Sequence, residues 1–252
     1  MRLPILGVLL LCGAAITPAH AALFTANYGS NITALNGTDD STTPVALPFT
    51  LNFFGTDYNS VNVSTNGNIQ FGTSSGSYTP DPLDTTTVIR GIAPFWTDLI
   101  TFSDPLGSPP GGAGIYVSTP TADQIIFTWD RLGYYVDYTN RVTFQLVLNN
   151  PNAPIAPGQA AIGLYYGSVG PQANAPQRQV TIGFGDGLTD INPGEISLFA
   201  GRSDDVTAAI NAGPGFYLFG LQGGVPTPTP AAPALALFGL GAAALGFARR
   251  TR

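Results

Sequence analysis

Apolar and polar residues alternate with a period of two over long parts of this chain. The inward set runs Leu47, Phe49, Leu51 and Phe53; then Ile125, Phe127 and Trp129; then Val142, Phe144, Leu146 and Leu148; then Val180, Ile182 and Phe184. Successive side chains of a strand point to opposite faces, so this pattern predicts half-buried β-strands. Shorter strands are predicted at Ile115 to Ser118, Ala161 to Tyr166, Ile196 to Ala200 and Gly215 to Phe219. Gly, Pro, Asn and Asp clusters at Asp104 to Gly114 and Asn149 to Gly158 have loop composition. One short helix is predicted over Asp204 to Asn211, with Ser203 as N-cap and Gly213 as its stop. The fold class these elements imply is all-β: a single sandwich-like antiparallel domain with long Gly/Pro loops.

The stretch from Val61 to Phe71 can be read for register. A two-residue Asn66-Gly67 turn would set Val63 against Gln70. A three-residue Thr65-Asn66-Gly67 loop sets Val63 against Ile69 and Val61 against Phe71, with Asn62 facing Gln70 on the wet side. Apolar matching selects the second, which puts Gly67 in the left-handed position of a bulged hairpin.

The chain ends differ from this body. Arg2 precedes an apolar run from Ile5 to Ala15, then Pro18 and Ala19-His20-Ala21. That is the form of a secretory leader cut by signal peptidase after Ala21, with Ala19 and Ala21 as the small cleavage-site residues. At the other end Val225-Pro226-Thr227-Pro228 leads through further prolines into an uncharged run ending at Ala248, followed by Arg249, Arg250, Thr251 and Arg252. As a helix, Ala231 to Ala248 would reach about 27 Å, close to the ~30 Å of a bilayer core. The arginines would mark its cytoplasmic side. The expected architecture therefore adds one C-terminal transmembrane helix, with the body held on the periplasmic side of an inner membrane. This tail resembles the PEP-CTERM sorting signal of Gram-negative bacteria, with Thr227 where most members carry Glu. The resemblance implies an exosortase-type membrane protease as partner and delivery to the cell envelope or extracellular matrix. The resulting division is 1–21 leader, 22–222 β domain, 223–233 Pro-rich motif and spacer, 234–248 span, and 249–252 basic end.

Composition narrows the chemistry. Cys12 and His20 are the sole cysteine and histidine, both lie in the leader, and there is no lysine. Cysteine nucleophiles, His-dependent triads, Cys/His metal sites and Schiff-base lysines are thereby excluded from the mature chain. Disulfides are excluded as well, so apolar burial must stabilise the domain. From Ala22 to Ala248 five arginines face all fifteen acidic groups. An acidic body argues against nucleic acid as a partner, because phosphate contacts need clustered positive charge. No cofactor is expected. Fourteen aspartates and Glu195 leave calcium as the ionic option, through Asp98 with Asp104, Asp186 with Asp190, or Asp39 with Asp40. They also leave one enzymatic alternative, a carboxylate-dependent hydrolase of envelope polysaccharide, with Asp98 beside Trp96 and Asp130 beside Trp129 as the carboxyls in apolar surroundings.

Phe53-Phe54-Gly55, Tyr58, the Asn66-Gly67 hairpin and Ile92-Ala93-Pro94-Phe95-Trp96-Thr97-Asp98 form a second signature. Gly114 to Val117, Ile126 to Trp129, Phe144 to Leu148 and Gly183 to Gly187 continue it. Over residues 45 to 190 the chain resembles the NIDO domain, the extracellular module of nidogen-type matrix proteins. The resemblance implies a non-catalytic β domain acting in adhesion or matrix assembly, with a matrix polysaccharide or protein as partner. It makes Asn66, Gly67, Pro94, Phe95, Trp96 and Asp98 the family-motif residues. Read physically, Ile92, Phe95 and Trp96 around Pro94 predict a core corner more than a ligand contact.

Overall fold

A computed structural model describes residues 22–83, 89–101, 112–135, 137–175, 178–188 and 192–229. The strands in chain order are β1 (Ser30–Asn31), β2 (Thr42–Phe53), β3 (Thr56–Ser64), β4 (Ile69–Gln70), β5 (Arg90–Trp96), β6 (Leu99–Ile100) and β7 (Gly114–Thr121). They continue with β8 (Gln124–Tyr134), β9 (Asp137–Asn149), β10 (Ile162–Val169), β11 (Gln179–Asp186) and β12 (Ile196–Arg202). The helix α1 (Ser203–Ala212) is followed by β13 (Phe216–Gln222) and β14 (Val225–Pro228).

Two antiparallel sheets result. One has the order β1-β7-β8-β9-β10-β13-β14, with β6 also pairing the end of β8; the other has the order β12-β11-β5-β4-β3-β2. Every inward position named from the alternation enters one core cluster between them: Leu47 to Phe53 from β2, Ile125 to Trp129 from β8, Val142 to Leu148 from β9 and Val180 to Phe184 from β11. Aromatic contacts bridge the layers. Trp129 stacks on Phe144 at 5.0 Å between centroids, and Phe95 of the facing sheet lies 5.5 Å from Phe144. Polar tips cross the same gap, because a buried indole N–H or phenol needs a partner. Trp129 Nε1 donates to the Ser64 carbonyl at 2.9 Å, and the Tyr166 hydroxyl donates to the Pro94 carbonyl at 2.7 Å.

The hairpin takes the three-residue register. Val63 faces Ile69, Asn62 faces Gln70, and Gly67 has φ +75°. One detail differs: Gln70 is not on a wet face but buried, because the 73–77 segment folds over it and exchanges hydrogen bonds with its amide through Ser75. The Pro94 stretch is a strand and not a corner. β5 lies inside the six-stranded sheet, and Pro94 is accommodated at an irregularity where Trp96 pairs with Thr181 but Ala93 pairs with Gly183. Three steps on β5 thus face two on β11, the kind of bulge at which a missing N–H breaks no ladder bond. Beyond it the faces alternate: Phe95 enters the main core, while Trp96 joins Leu83, Ile89 and Ala93 in a small cluster on the outer side. Helix α1 begins one residue earlier than expected. Ser203 is its first residue and not its cap, its Oγ accepting the Gln172 N–H at 2.9 Å; Gly213 follows the last turn.

The expected fold class needs one correction. Among the described residues no helix is long and apolar enough to cross a membrane. The ten residues of α1 span about 15 Å, half a bilayer core, and carry Asp204 and Asp205 in their first turn. The architecture of the described residues is the two-sheet all-β body with one short α-helix, and the expected C-terminal transmembrane helix is not part of it; residues 234–248 lie outside the described residues. The tail motif also has a definite place. Val225, Pro226, Thr227 and Pro228 form β14, paired with β13 through a Gly223-Gly224 turn, so the eight-stranded sheet continues into the segment read as spacer.

Candidate functional site

The two signature motifs meet at the end of the β5–β11 ladder. Phe95 N–H donates to the Gly67 carbonyl at 3.1 Å and Thr97 N–H to the Asn66 carbonyl at 3.3 Å. A side chain at Gly67 would put its Cβ 2.0 Å from the Phe95 carbonyl oxygen, so the close approach requires glycine on steric grounds as well as for its positive φ. Asn66, fully buried, is the hub. Its Oδ1 accepts the Leu99 N–H at 3.0 Å, and its Nδ2 donates to Asp40 Oδ1 at 2.8 Å and reaches the Gly76 and Ser77 carbonyls. The Trp96 indole N–H, on a ring with no exposure, donates to the Ser77 carbonyl at 3.0 Å. Asn66, Gly67, Pro94, Phe95 and Trp96 therefore build a floor and make no surface of their own.

Above that floor lies a cleft of about 270 Å³ lined by Asp39, Asp40, Tyr78, Asp98, Tyr135 and Arg178. A second hollow of about 260 Å³ shares Tyr78, Asp98 and Arg178 with it. The backbone positions of both tyrosines are fixed by the floor. Ser77, next to Tyr78, receives the Trp96 and Asn66 bonds, and the Tyr135 N–H donates to the Asp98 carbonyl at 3.0 Å. Yet their side chains stay out: Tyr78 is 50% and Tyr135 42% exposed, two of the three large hydrophobic residues in that state among the described residues.

Electrostatics in the cleft are crowded. Asp98, 6% exposed, accepts Arg178 Nη1 on Oδ2 at 2.7 Å. Burial first, and then the Asp39 charge, push its carboxyl up to about 6 against the pull of Arg178. Burial, followed by Asp40, raises Asp39 too. Asp39, Asp40 and Asp98 bring carboxylate oxygens within 4.8 Å of one another, the one such group with metal-ligand spacing among the described residues. They are the residues that could hold a hard cation there, in competition with Arg178. Asp39 Oδ1 is buried without a hydrogen-bond partner.

The structure thus keeps together the Asp39 and Asp40 read as a pair in the sequence and adds Asp98 to them; Asp104 and Asp190 lie outside the described residues. Asp186 joins Glu195 at the other end of the ladder, and Asp130 accepts Arg131 Nε at 2.9 Å. The tail motif sits on β14, while Ala19, Ala21, Arg249, Arg250 and Arg252 lie outside the described residues. Tyr78, Tyr135 and Arg178 were not marked by any motif. Each sits in or beside a loop, and only long-range pairing brings the three together.

Residues 16–211 match the family described as NIDO related. No curated protein matches the chain, and no solved structure does.

Proposed function

Because the chain belongs to the NIDO-related family, we propose that it works outside the cytoplasm as an adhesion-type domain, through surface contact in a cell envelope or matrix. What supports this reading is that the family's matched stretch folds into a filled two-sheet core whose motif residues present an open, tyrosine-flanked cleft. The absence of histidine and cysteine after residue 20 agrees with it. In this reading signal peptidase cuts after Ala21, and an exosortase-type protease recognises Val225 to Pro228 and removes the arginine end.

The test is to fractionate cells making the full chain and to determine both termini by mass spectrometry. Recovery from the surface fraction with Ala22 first and Arg249, Arg250 and Arg252 missing is expected, together with reduced cell attachment on deletion. The whole polypeptide in the cytosol with its leader intact would overturn it. The hydrolase alternative draws on Asp98 and Asp39, facing carboxyls of which one is raised to about 6. Against it, Arg178 already occupies Asp98 Oδ2, and a glycosidase needs its two carboxyls ~5 Å or more apart with the scissile bond between them.

A further inference from the structure

We propose that the paired hollows around Tyr78 bind a neutral polysaccharide, with Tyr78 and Tyr135 as stacking platforms for successive sugar rings and Asp39, Asp98 and Arg178 as partners for their hydroxyls. This deepens the adhesion reading and rests on it for the setting, while its geometry does not depend on how the chain is exported.

Four observations carry it. First, a large aromatic ring left half in water forgoes burial free energy, and two such rings at one cleft are a cost without a partner. Among the described residues no other aromatic side chain is as exposed: Trp96, Trp129, Phe95, Phe127 and Phe144 are without measurable exposure, and others such as Tyr58 and Phe199 are half-buried. Second, the hollows of about 270 and 260 Å³ share Tyr78, Asp98 and Arg178, so they are adjacent sections of one groove. Each is below the ~300–1,000 Å³ of an enclosed small-molecule pocket. A run of two small rings fits that shape better than one compact cofactor.

Third, the polar groups suit hydroxyls. A sugar hydroxyl donates and accepts, and the groove offers both functions: carboxylate oxygens of Asp39, Asp40 and Asp98, and the part-exposed guanidinium of Arg178. Asp39 Oδ1 has no donor in the protein. Fourth, three carboxylates against one arginine, on an acidic body, repel polyanions, which selects neutral over uronic or sulphated chains. The platforms are also held in place. The bonds from Trp96, Asn66 and Asp98 to the backbone at Ser77 and Tyr135 fix both loops before any ligand arrives, which lowers the ordering cost of binding.

The experiment is affinity electrophoresis of the purified exported protein. The gels contain laminarin, dextran, or the neutral or acidic pool of polysaccharide extracted from the producing cells. Retardation by a neutral polymer and none by the acidic pool is expected. Tyr78→Ala and Tyr135→Ala should each weaken binding about three- to tenfold, the worth of one aromatic stacking contact, and the double variant more, with Tyr78→Phe close to wild type. The melting temperature should be unchanged in all of them, so loss of binding cannot be loss of fold. Absence of retardation in every neutral gel, an unaffected double variant, stronger retention by the acidic pool, or release of reducing ends from the polymer would each overturn the assignment. Cell attachment separates this failure from failure of the broader reading. If the double variant still mediates attachment as wild type does, adhesion stands and the groove is not its site.

Discussion

The β5–β11 ladder ends in a carboxylate cluster on each side, and the two clusters use the same chemistry to opposite ends. At the Arg90 end, Asp186 and Glu195 turn every oxygen to their own loop. Asp186 accepts from the Leu188 N–H and the Asn192 amide, and Glu195 accepts from the Asp186 and Asn192 N–H groups. Arg90 spans the gap to the Asp186 carbonyl and the Tyr58 hydroxyl. These acids close a hairpin loop. At the Asp98 end the carboxylates come from segments some sixty residues apart, repel one another, have an arginine bonded to Asp98 alone and leave a buried oxygen unmet. A cluster that satisfies itself is a clasp, whereas one that does not is where a ligand can contribute.

The sharpest way to break the contrast is at the floor. Gly67→Ala forces a Cβ against the Phe95 carbonyl in a left-handed backbone. It should cost about 3–5 kcal/mol, read by denaturant melts, and should disorder the Tyr78 loop. At the clasp, Glu195→Ala leaves the Asp186 and Asn192 N–H groups without acceptors. A loss of about 2 kcal/mol is expected, with polysaccharide binding unchanged, because the groove lies at the other end.

The third prediction concerns pH. The folded carboxyl of Asp98 titrates at about 6, above its ordinary value of 3.8, so the folded state holds this proton more tightly than the unfolded chain. Its contribution is complete below about pH 4 and is lost as pH rises through 6. Wild type should therefore gain roughly 1–2 kcal/mol relative to Asp98→Asn between pH 7 and pH 4, less than the whole shift because the cleft admits water. Thermal melts of both proteins across that range check the sign. The smallest effect belongs to the platforms, where Tyr78→Ala should change stability by less than about 0.5 kcal/mol even as it weakens binding.

Legibility followed the contrast between the two sides of each strand. β2 and β11 show one apolar face, and β8 and β9 nearly so, with Ile126 and Val147 the apolar exceptions on their other side, so all four could be read. β5 could not, because both its faces are apolar: Ile92 and Phe95 lie in the main core, Ala93 and Trp96 under the 77–83 segment. Alternation vanishes when both sides are apolar, and Pro94 then reads as a corner; buried polar residues such as Thr128, Gln145 and Thr181 preserve the alternation in β8, β9 and β11. The hairpin register was legible because one slip would have set Val63 against Gln70. Of the site, the floor was visible as motif and the groove was not. Asp40 meets Asn66 across 26 residues, and Arg178 meets Asp98 across 80. Local spacing carries no trace of either meeting, and a tyrosine in a loop looks the same whether it faces water or a sugar.

The Gly223-Gly224 turn makes Gln222 and Val225 the first bonded pair of the last hairpin, and the Thr229 N–H reaching the Leu218 carbonyl keeps that phase. The positions of β14 whose amides point away from β13 are then 226 and 228, and both are proline. That rim of the larger sheet presents no donor to a further strand. Whatever assemblies this protein enters, stacking of copies into a continuous fibre through that rim is closed to it.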